Sequence, residues 1–324
     1  MATPSADTSL SIGEENVSRP AQEAMTSLPH ISVCICTYKR PVFLRRLLAG
    51  LGVQETNDLF TYSIVVADND QLRSAEPVVA NFAKSVPISI KYCVEPHQNI
   101  ALTRNKAIEN ADGSFIAFID DDEFPCECWL LNIFQACTRY QVDGVLGPVL
   151  RHFDETPPRW LVKSNFYVRP RHETGFVMGW MECRTGNLLL DRRVFGTGET
   201  PFRPEFRAGE DQDFFRRKID QGRTFIWCNE APVYETVPPS RWKCGFMLRR
   251  ALLRGATAVL HPSFGSWNIA KSITAVLLYT VALPFSFLIG YHHFMSLLVR
   301  LFDHLGALLA LMGLNPVKSE YVTE

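Results

Sequence analysis

Apolar runs and helical patterns follow one another in a regular order from Ile31 onward. Residues 31–37 form a continuous apolar run, as expected for a parallel strand that is buried on both faces. Leucines at helical spacing follow this run, and Pro41 suits the first position of the helix that they predict. The same order of strand and helix recurs up to residue 119. The pattern therefore predicts an α/β domain with a parallel sheet and right-handed crossovers.

The remaining elements are predicted from the same two periodicities. Further strands are predicted at residues 62–67, 88–94, 114–119, 186–190 and 224–228. Further helices are predicted at residues 75–84, 101–111, 210–219 and 241–260. We expect a disordered tail at residues 1–28, a catalytic domain at 29–239 and a membrane-associated helical region at 240–324. The tail is polar and lacks the apolar segment of a signal peptide.

Polar clusters follow three of the predicted strands, at residues 37–40, 68–70 and 120–122. Ligands of α/β sheets bind beyond the carboxyl ends of the strands, so these clusters are candidates for one site. The chain contains neither a Gly-x-Gly-x-x-Gly motif nor a Walker A loop. The sequence therefore gives no support for dinucleotide binding or for P-loop chemistry.

Asp120, Asp121 and Asp122 are three adjacent carboxylates after the fourth strand, where they are stable only when solvated or near a cation. Oxygen ligands select hard ions such as Mg²⁺ or Mn²⁺. The first and third residues of an extended Asp-x-Asp project to the same side. The alternative is a solvated acidic loop, and the motif alone is too common to decide.

Two further segments carry candidate charged groups. Glu210 and Asp211 begin a predicted helix, where the helix dipole favours carboxylates, and where one of them is also a candidate general base. Arg104 lies in the first turn of a helix and is suited to binding a diphosphate, although a surface arginine would look the same.

Composition narrows the class of protein. The net charge is −1, without the basic surplus that is typical of nucleic-acid binders. The nine cysteines are scattered and odd in number, which indicates a reducing compartment. We interpret Cys34 and Cys36 as small core residues, and the pair Cys126 and Cys128 as packing residues rather than metal ligands.

The C-terminal region is apolar, and all charged residues from 239 to 271 are basic. Residues 272–299 contain no Asp, Glu, Lys or Arg, a run long enough to cross a membrane, although Pro284 and Gly290 are expected to kink or break it. A second stretch, residues 297–314, is interrupted by charged residues, so we expect it to lie at the membrane interface. The alternative is a pair of buried core helices.

Four segments together resemble family 2 glycosyltransferases of the GT-A fold. They are ISVCICTYKRP at 31–41, VVADND at 65–70, residues 99–123 ending in FIDDDE, and GEDQDFFRR at 209–217. RTGNLLLDRRVF at 184–195 and residues 234–241 resemble the branch that builds bacterial succinoglycan-type exopolysaccharides. The resemblance spans residues 30–255 and implies a Rossmann-like mixed sheet with C-terminal membrane-associated helices.

The resemblance implies roles for individual residues. The predicted donor site comprises Thr37, Tyr38, Arg40, Asp68, Arg104, Asp120 and Asp121. Within it, Thr37, Tyr38 and Asp68 match positions that hold the nucleobase, and Arg104 matches a diphosphate-binding arginine. Asp122 matches the metal-binding aspartate, with Asp120 as a further metal ligand. Asp211 matches the general base, with Glu210 beside it, and Glu235 stands where many members carry a histidine.

The implied activity is an inverting transfer of one sugar from a nucleotide-diphosphate donor, with UDP expected, aided by Mn²⁺ or Mg²⁺. The absence of the QxxRW motif of processive synthases argues for single-sugar addition. The expected acceptor is a lipid-linked oligosaccharide or a glycan, at the cytoplasmic face of a bacterial inner membrane, with membrane lipids as partners and no nucleic acid. One alternative is a sugar nucleotidyltransferase, which would need a glycine-rich loop after the first strand. The other is a non-catalytic membrane-bound sugar-binding protein, against which the intact acidic motifs argue.

Overall fold

The computed structural model describes residues 28–196, 198–206, 209–260, 264–314 and 317. The predicted disordered tail lies outside the described residues except for Leu28. The strands are β1 (His30–Thr37), β2 (Thr61–Asp68), β3 (Ile90–Val94), β4 (Phe115–Phe118), β5 (Glu123–Pro125), β6 (Gly144–Leu146), β7 (Val149–His152), β8 (Leu188–Asp191), β9 (Phe225–Trp227) and β10 (Val233–Thr236). The helices are α1 (Pro41–Leu51), α2 (Glu76–Ala83), α3 (Ile100–Glu109), α4 (Trp129–Tyr140), α5 (Arg159–Lys163), α6 (Glu210–Asp220), α7 (Cys244–Val259), α8 (Ser266–Ile289) and α9 (Tyr291–Leu311).

A seven-stranded sheet in the order β3-β2-β1-β4-β8-β6-β9 forms the centre of the α/β part of the chain. Strands β1 to β4 are parallel to one another, as the alternating pattern predicted. Strand β8 runs antiparallel between β4 and β6, so the sheet is mixed, as the resemblance implied. Thr37 pairs with Asp68 in the β1–β2 register, so the carboxyl ends of these strands are level. The first two polar clusters therefore begin at one edge of the sheet.

Helices cover both faces of this sheet. The leucines of α1 pack with apolar residues of α2 and α4 in a core on one face. Residues of α3 and the phenylalanines of α6 form the core on the other face. Because both faces are covered, the central residues of β1, β2 and β4 are mostly apolar, and the polar clusters follow the strand ends.

A small second sheet, in the order β5-β10-β7, adjoins the carboxyl end of β4. Strand β10 is antiparallel to β5 and parallel to β7. It places Glu235 opposite Glu123, and the backbone N–H of Thr236 donates to the carbonyl of Asp122 (2.9 Å). The second sheet thus brings residues distant in sequence next to the acidic cluster.

The C-terminal apolar region forms two helices, α8 and α9, which meet at Gly290 and pack side by side. The uncharged run is thus divided at Gly290, whereas α8 continues through Pro284. Mean hydropathy is 2.0 for α8 and 1.6 for α9, and only 11% and 22% of the residues in their most apolar windows are buried. This exposure does not fit the alternative of a buried core pair. Both helices are long and apolar enough to cross a membrane, which indicates membrane association.

Helix α7 lies directly against α9. A Cβ atom on Gly255 of α7 would come within 1.9 Å of the carbonyl oxygen of Asp303, and one on Gly306 of α9 would come within 2.2 Å of that of Leu252. Because these two glycines lack Cβ atoms, the helix backbones are in contact. The side chain of Arg254 pairs with that of Asp303 (2.9 Å), which compensates a charge that interrupts the apolar stretch.

Candidate active site

A cavity of about 820 Å³ opens at the carboxyl ends of β1 and β4. Residues that the sequence assigned to donor or metal binding line it: Thr37, Tyr38, Arg40, Arg104, Asp120, Asp121 and Asp122. The cavity also contains residues from later in the chain, among them Arg169, Glu235, Arg241 and Arg250. The structure therefore brings most of the predicted site together and adds a second, basic wall.

The segment after β1 is tied to the acidic cluster by its side chains. The hydroxyl of Thr37 donates to Asp121 Oδ2 (2.8 Å), and Arg40 Nη1 donates to Asp121 Oδ1 (3.0 Å). Burial raises the pKa of Asp121 to about 6, although Arg40 opposes this rise. Thr37 and Arg40 thus hold Asp121 in a fixed orientation at the floor of the cavity.

Asp122 is shared between two arginines that lie far apart in sequence. Arg241 Nη2 donates to Asp122 Oδ2 (2.7 Å), and Arg40 Nη1 lies 3.4 Å from the same oxygen. Arg241 Nη1 also donates to Glu235 Oε1 (3.1 Å), and Arg169 Nη2 donates to Glu235 Oε2 (2.7 Å). A continuous chain of alternating charges thus crosses the cavity.

Asp120 differs from its two neighbours because its carboxylate makes no hydrogen bond with any residue in the described part of the chain. Its backbone N–H donates to Glu123 Oε2 (3.1 Å). Glu123 Oε1 is buried without a partner among the described residues, and burial, followed by the charge of Asp120, raises the pKa of Glu123 well above its usual range. Burial likewise raises the pKa of Asp120.

The start of α3 brings Arg104 to the cavity. Asn99 caps this helix, since its side chain accepts hydrogen bonds from the backbone of Ala101 and Leu102. The guanidinium of Arg104 is buried and pairs with Glu210 at the start of α6. Burial alone would lower the pKa of Arg104, but the negative charges of Glu210 and Asp120 raise it.

Asp211 lies next to this ion pair, at the first turn of α6. Its side chain is half-buried, and its Oδ1 accepts from the backbone N–H of Gln212 (2.8 Å). Its charge also contributes to the raised pKa of Arg104. Asp211 and Glu210 stand beside the cavity rather than among the residues that line it.

Asp68 is the predicted donor residue that the structure does not bring to the cavity surface. It is fully buried, and its carboxylate accepts from the backbone N–H groups of Asp70 (3.0 Å) and Ala75 (2.8 Å) and from the Tyr92 hydroxyl (2.8 Å). Its neighbour Asn69 lines the cavity instead. Contact of Asp68 with a nucleobase stays a prediction.

Two interpretations of the sequence need correction at this site, and one residue was missed. Cys34 is a core residue as predicted, but Cys36 lines the cavity, and burial raises its pKa to about 12. Arg241, predicted on the basic helix, lies in a 3₁₀ turn, Pro239–Trp242, and is buried in the site because α7 begins only at Cys244. Arg169 was missed, since an isolated arginine in a long loop gives no sequence signal.

Comparison with known proteins shows which family this chain is similar to. Residues 32–195, half of the chain, match the model of glycosyl transferase family 2. The succinoglycan biosynthesis protein ExoM of Rhizobium meliloti is 34% identical over 254 residues, which cover 74% of this chain and 80% of ExoM. The chain belongs to glycosyl transferase family 2. It is therefore a glycosyltransferase, and the alternatives of a nucleotidyltransferase and of a non-catalytic binding protein fall away.

Two further proteins add detail to this family membership. The structure of S. aureus TarS 1–349 in complex with UDP-GlcNAc covers 89% of this chain and 93% of that one, with a TM-score of 0.50 at 15% identity, which supports the GT-A fold. A Campylobacter jejuni enzyme is 30% identical over 98 residues, which cover 30% of each chain. This enzyme is named GalNAc(5)-diNAcBac-PP-undecaprenol beta-1,3-glucosyltransferase.

The residues of this glycosyltransferase fit a hard divalent cation. Asp120 presents a carboxylate to the cavity that no described side chain engages, and Asp122 lies two residues away. Both supply oxygen, the ligand type of Mg²⁺ and Mn²⁺. No cluster of three His, Cys, Asp or Glu side chains suited to a metal occurs within the described ranges. Such an ion would therefore take further ligands from substrate phosphates or water.

Proposed function

We propose that this glycosyltransferase transfers a single sugar from a UDP-sugar to a hydroxyl of a lipid-linked or polysaccharide acceptor, with inversion, in the synthesis of a surface polysaccharide. The names of two relatives support the acceptor class, since one refers to succinoglycan biosynthesis and the other to an undecaprenol-linked glycan. The TarS complex with UDP-GlcNAc supports the donor class.

One observation carries the proposal: Asp120–Asp122 and Arg104 line the same cavity, and Arg104 is paired with the helix start that bears Asp211. On this proposal the nucleobase lies against Thr37 and Tyr38, and the diphosphate lies between Arg104 and the acidic cluster. A guanidinium suits phosphate because its N–H groups form a planar fork.

The residues that would hold a divalent cation are Asp120 and Asp122. Such a cation would neutralise negative charge on the leaving diphosphate. Arg104 would contribute in the same direction, since it is buried and its charge is held in place by Glu210.

Asp211 is proposed to accept the proton from the acceptor hydroxyl. The hydroxyl oxygen forms the new bond to the anomeric carbon from the face opposite the diphosphate, and the bond to the diphosphate oxygen breaks. The proton ends on Asp211 and the electron pair on UDP, so one displacement inverts the configuration. Glu210 is proposed to position Arg104 rather than to take part in proton transfer, because its carboxylate is already in a buried ion pair.

Helices α7, α8 and α9 are proposed to hold the enzyme on the cytoplasmic face of the membrane. Helix α9 packs between α7 and α8. Arg250 of α7 lines the site, as does Arg241 of the 3₁₀ turn that precedes α7. Because α7 carries three arginines and packs along α9, an arrangement in the membrane interface fits better than a crossing by α9. The outward face of α8 would then be inserted most deeply.

The test is turnover of a panel of nucleotide sugars by the full-length protein in detergent, with and without Mn²⁺. We expect release of UDP from one UDP-sugar and, with a lipid-linked acceptor, a product whose anomeric configuration is opposite to that of the donor by NMR. A product of retained configuration, or turnover only with other nucleotides, would contradict the proposal.

A further inference from the structure

A second cavity, of about 190 Å³, adjoins the main one on the side of the C-terminal helices. Its walls come from the loop after α5, from α7 and from α9. Arg169, Glu235 and Arg250 line both cavities, so the two share a boundary. A ligand in the second cavity would therefore lie beside the proposed donor site without occupying it.

The second cavity carries a surplus of positive charge. Arg169, Arg250 and Arg254 line it, against a single glutamate. Glu235 is already bonded to Arg169 and Arg241, and Arg254 is paired with Asp303. Arg250, in contrast, makes no hydrogen bond or ion pair within the part of the chain that the structure describes.

The surroundings of Arg250 favour an anion. Burial and the nearby charges of Arg241 and Arg254 lower its pKa, so a negative group beside it would offset that repulsion. The lining of this cavity also includes the apolar side chains of Met247 and Val299, which are both buried. The cavity thus combines a phosphate-binding group with a surface suited to hydrocarbon.

Tyr167 shows that this region is held in a specific conformation. Its backbone has a φ of 63°, which is unusual for a bulky residue and costs energy. Its hydroxyl donates to the carbonyl of Arg241 (2.9 Å), which ties the loop to the segment before α7. The loop therefore holds its place against Arg250 despite the backbone strain.

We propose that Arg250, with Arg169 and Arg254 beside it, binds the diphosphate of a lipid-linked acceptor. This inference rests on the proposed function and adds the site that recognises the lipid end of the acceptor. The diphosphate lies at the boundary between the two cavities, its prenyl chain follows α7 and α9, and its glycan extends into the main cavity.

The test uses full-length protein in detergent and measures the affinities for farnesyl diphosphate, farnesol and UDP. Wild-type protein should bind farnesyl diphosphate more tightly than farnesol, and this difference should shrink with added salt. Arg250→Gln should weaken farnesyl diphosphate binding by about tenfold more than it weakens UDP binding, because charged hydrogen bonds to phosphate are lost. Arg249→Gln is the matched control, since Arg249 is exposed on the same helix, and both of its affinities should stay within about threefold of wild type.

Three results would overturn the proposal. The first is wild-type protein that binds farnesyl diphosphate no better than farnesol, a measurement that needs no variant. The second is an Arg250→Gln protein, or an Arg250→Met protein if the first does not fold, that keeps its farnesyl diphosphate affinity or loses UDP affinity equally. The third is an Arg250→Gln protein that binds less well to vesicles containing phosphatidylglycerol, relative to phosphatidylcholine vesicles, while its farnesyl diphosphate affinity is unchanged. That result would assign Arg250 to phospholipid head groups. Failure of the proposed function would appear instead as the absence of UDP release from every UDP-sugar. None of these binding measurements depends on that turnover, so the two failures can be told apart.

Discussion

The two sides of the main cavity hold their charged groups in different ways. On the side proposed to bind the donor, here called the donor side, Thr37, Arg40, Asp121 and Asp122 all lie within four residues of a strand end, and the register of the central sheet places them together. On the side proposed to bind the acceptor, here called the acceptor side, the charged groups come from a loop, a strand of the second sheet, a 3₁₀ turn and a helix, namely Arg169, Glu235, Arg241 and Arg250.

This difference has a physical consequence. Donor-side residues follow strands of the central sheet, both faces of which are covered by packed helices, so their positions depend on that sheet. Acceptor-side residues depend on how α7 packs against α9 and on the loop that Tyr167 ties down. We therefore expect donor and acceptor properties to be separable by substitution.

Replacing the proposed base gives the largest expected effect and tests this separation directly. Asp211→Asn should reduce transfer by about 10²–10⁴-fold, because a neutral amide cannot accept the hydroxyl proton. Donor affinity should change little, and UDP release in the presence of acceptor is the measurement. Asp220→Asn, exposed at the far end of α6, is the control. Near-normal transfer by Asp211→Asn would move the base to Glu210 or Asp213.

A charge on the outer face of α8 tests the membrane part of the acceptor side. Val281 is 69% exposed, and Val281→Asp should reduce co-sedimentation with vesicles by about 100-fold if this face is inserted, since a charge there costs about 3 kcal/mol. Leu72→Asp, at an 82% exposed position of the catalytic domain, is the control. Equal binding by both variants would contradict insertion of α8.

Asp122→Asn tests the donor side and its cation. The gain in donor affinity on adding Mn²⁺ should fall by about tenfold, because one charged ligand becomes neutral. Titration of UDP with and without Mn²⁺ measures this gain, and Asp112→Asn, an exposed aspartate before β4, is the control. An undiminished Mn²⁺ effect in Asp122→Asn would show that the cation binds elsewhere.

The smallest effect on catalysis is expected from the contact between α7 and α9. Gly255→Ala places a Cβ atom against the backbone of Asp303, and overpacking of this kind costs about 1–3 kcal/mol of stability. The melting temperature should fall while UDP affinity is kept. Gly245→Ala, where a Cβ atom meets nothing within 4 Å, should leave the melting temperature unchanged. A melting temperature unaffected by Gly255→Ala would show that the helices separate readily.

The donor side could be predicted from the sequence because strand ends are visible in it. The apolar runs before Thr37 and Asp120 mark where each strand stops, and a parallel sheet then brings the polar residues to one edge. The direction of β8 was not visible, because a buried strand looks the same in either orientation. Helix α4 was not predicted, although its apolar residues pack in the core.

The acceptor side could be predicted only in part. Glu235 was recognised by its place in the resemblance, but the bonds that join it to Arg169 and Arg241 depend on tertiary structure. The basic run was interpreted as one helix, whereas its first arginine belongs to the site and a later one, Arg254, is paired with α9. Periodicity locates a helix but does not show which neighbour each charge will meet.

The chain of alternating charges across the cavity also links the two sides thermodynamically. Arg241 is bonded to Asp122 on the donor side and to Glu235 on the acceptor side. A donor-side ligand that draws Asp122 away from Arg241 leaves the guanidinium bonded to Glu235. This change alters the electric field that a ligand on the acceptor side meets. Because such coupling is reciprocal, the factor by which bound donor changes acceptor affinity equals the factor by which bound acceptor changes donor affinity. Removal of Arg241 would eliminate this route of coupling between the two binding equilibria.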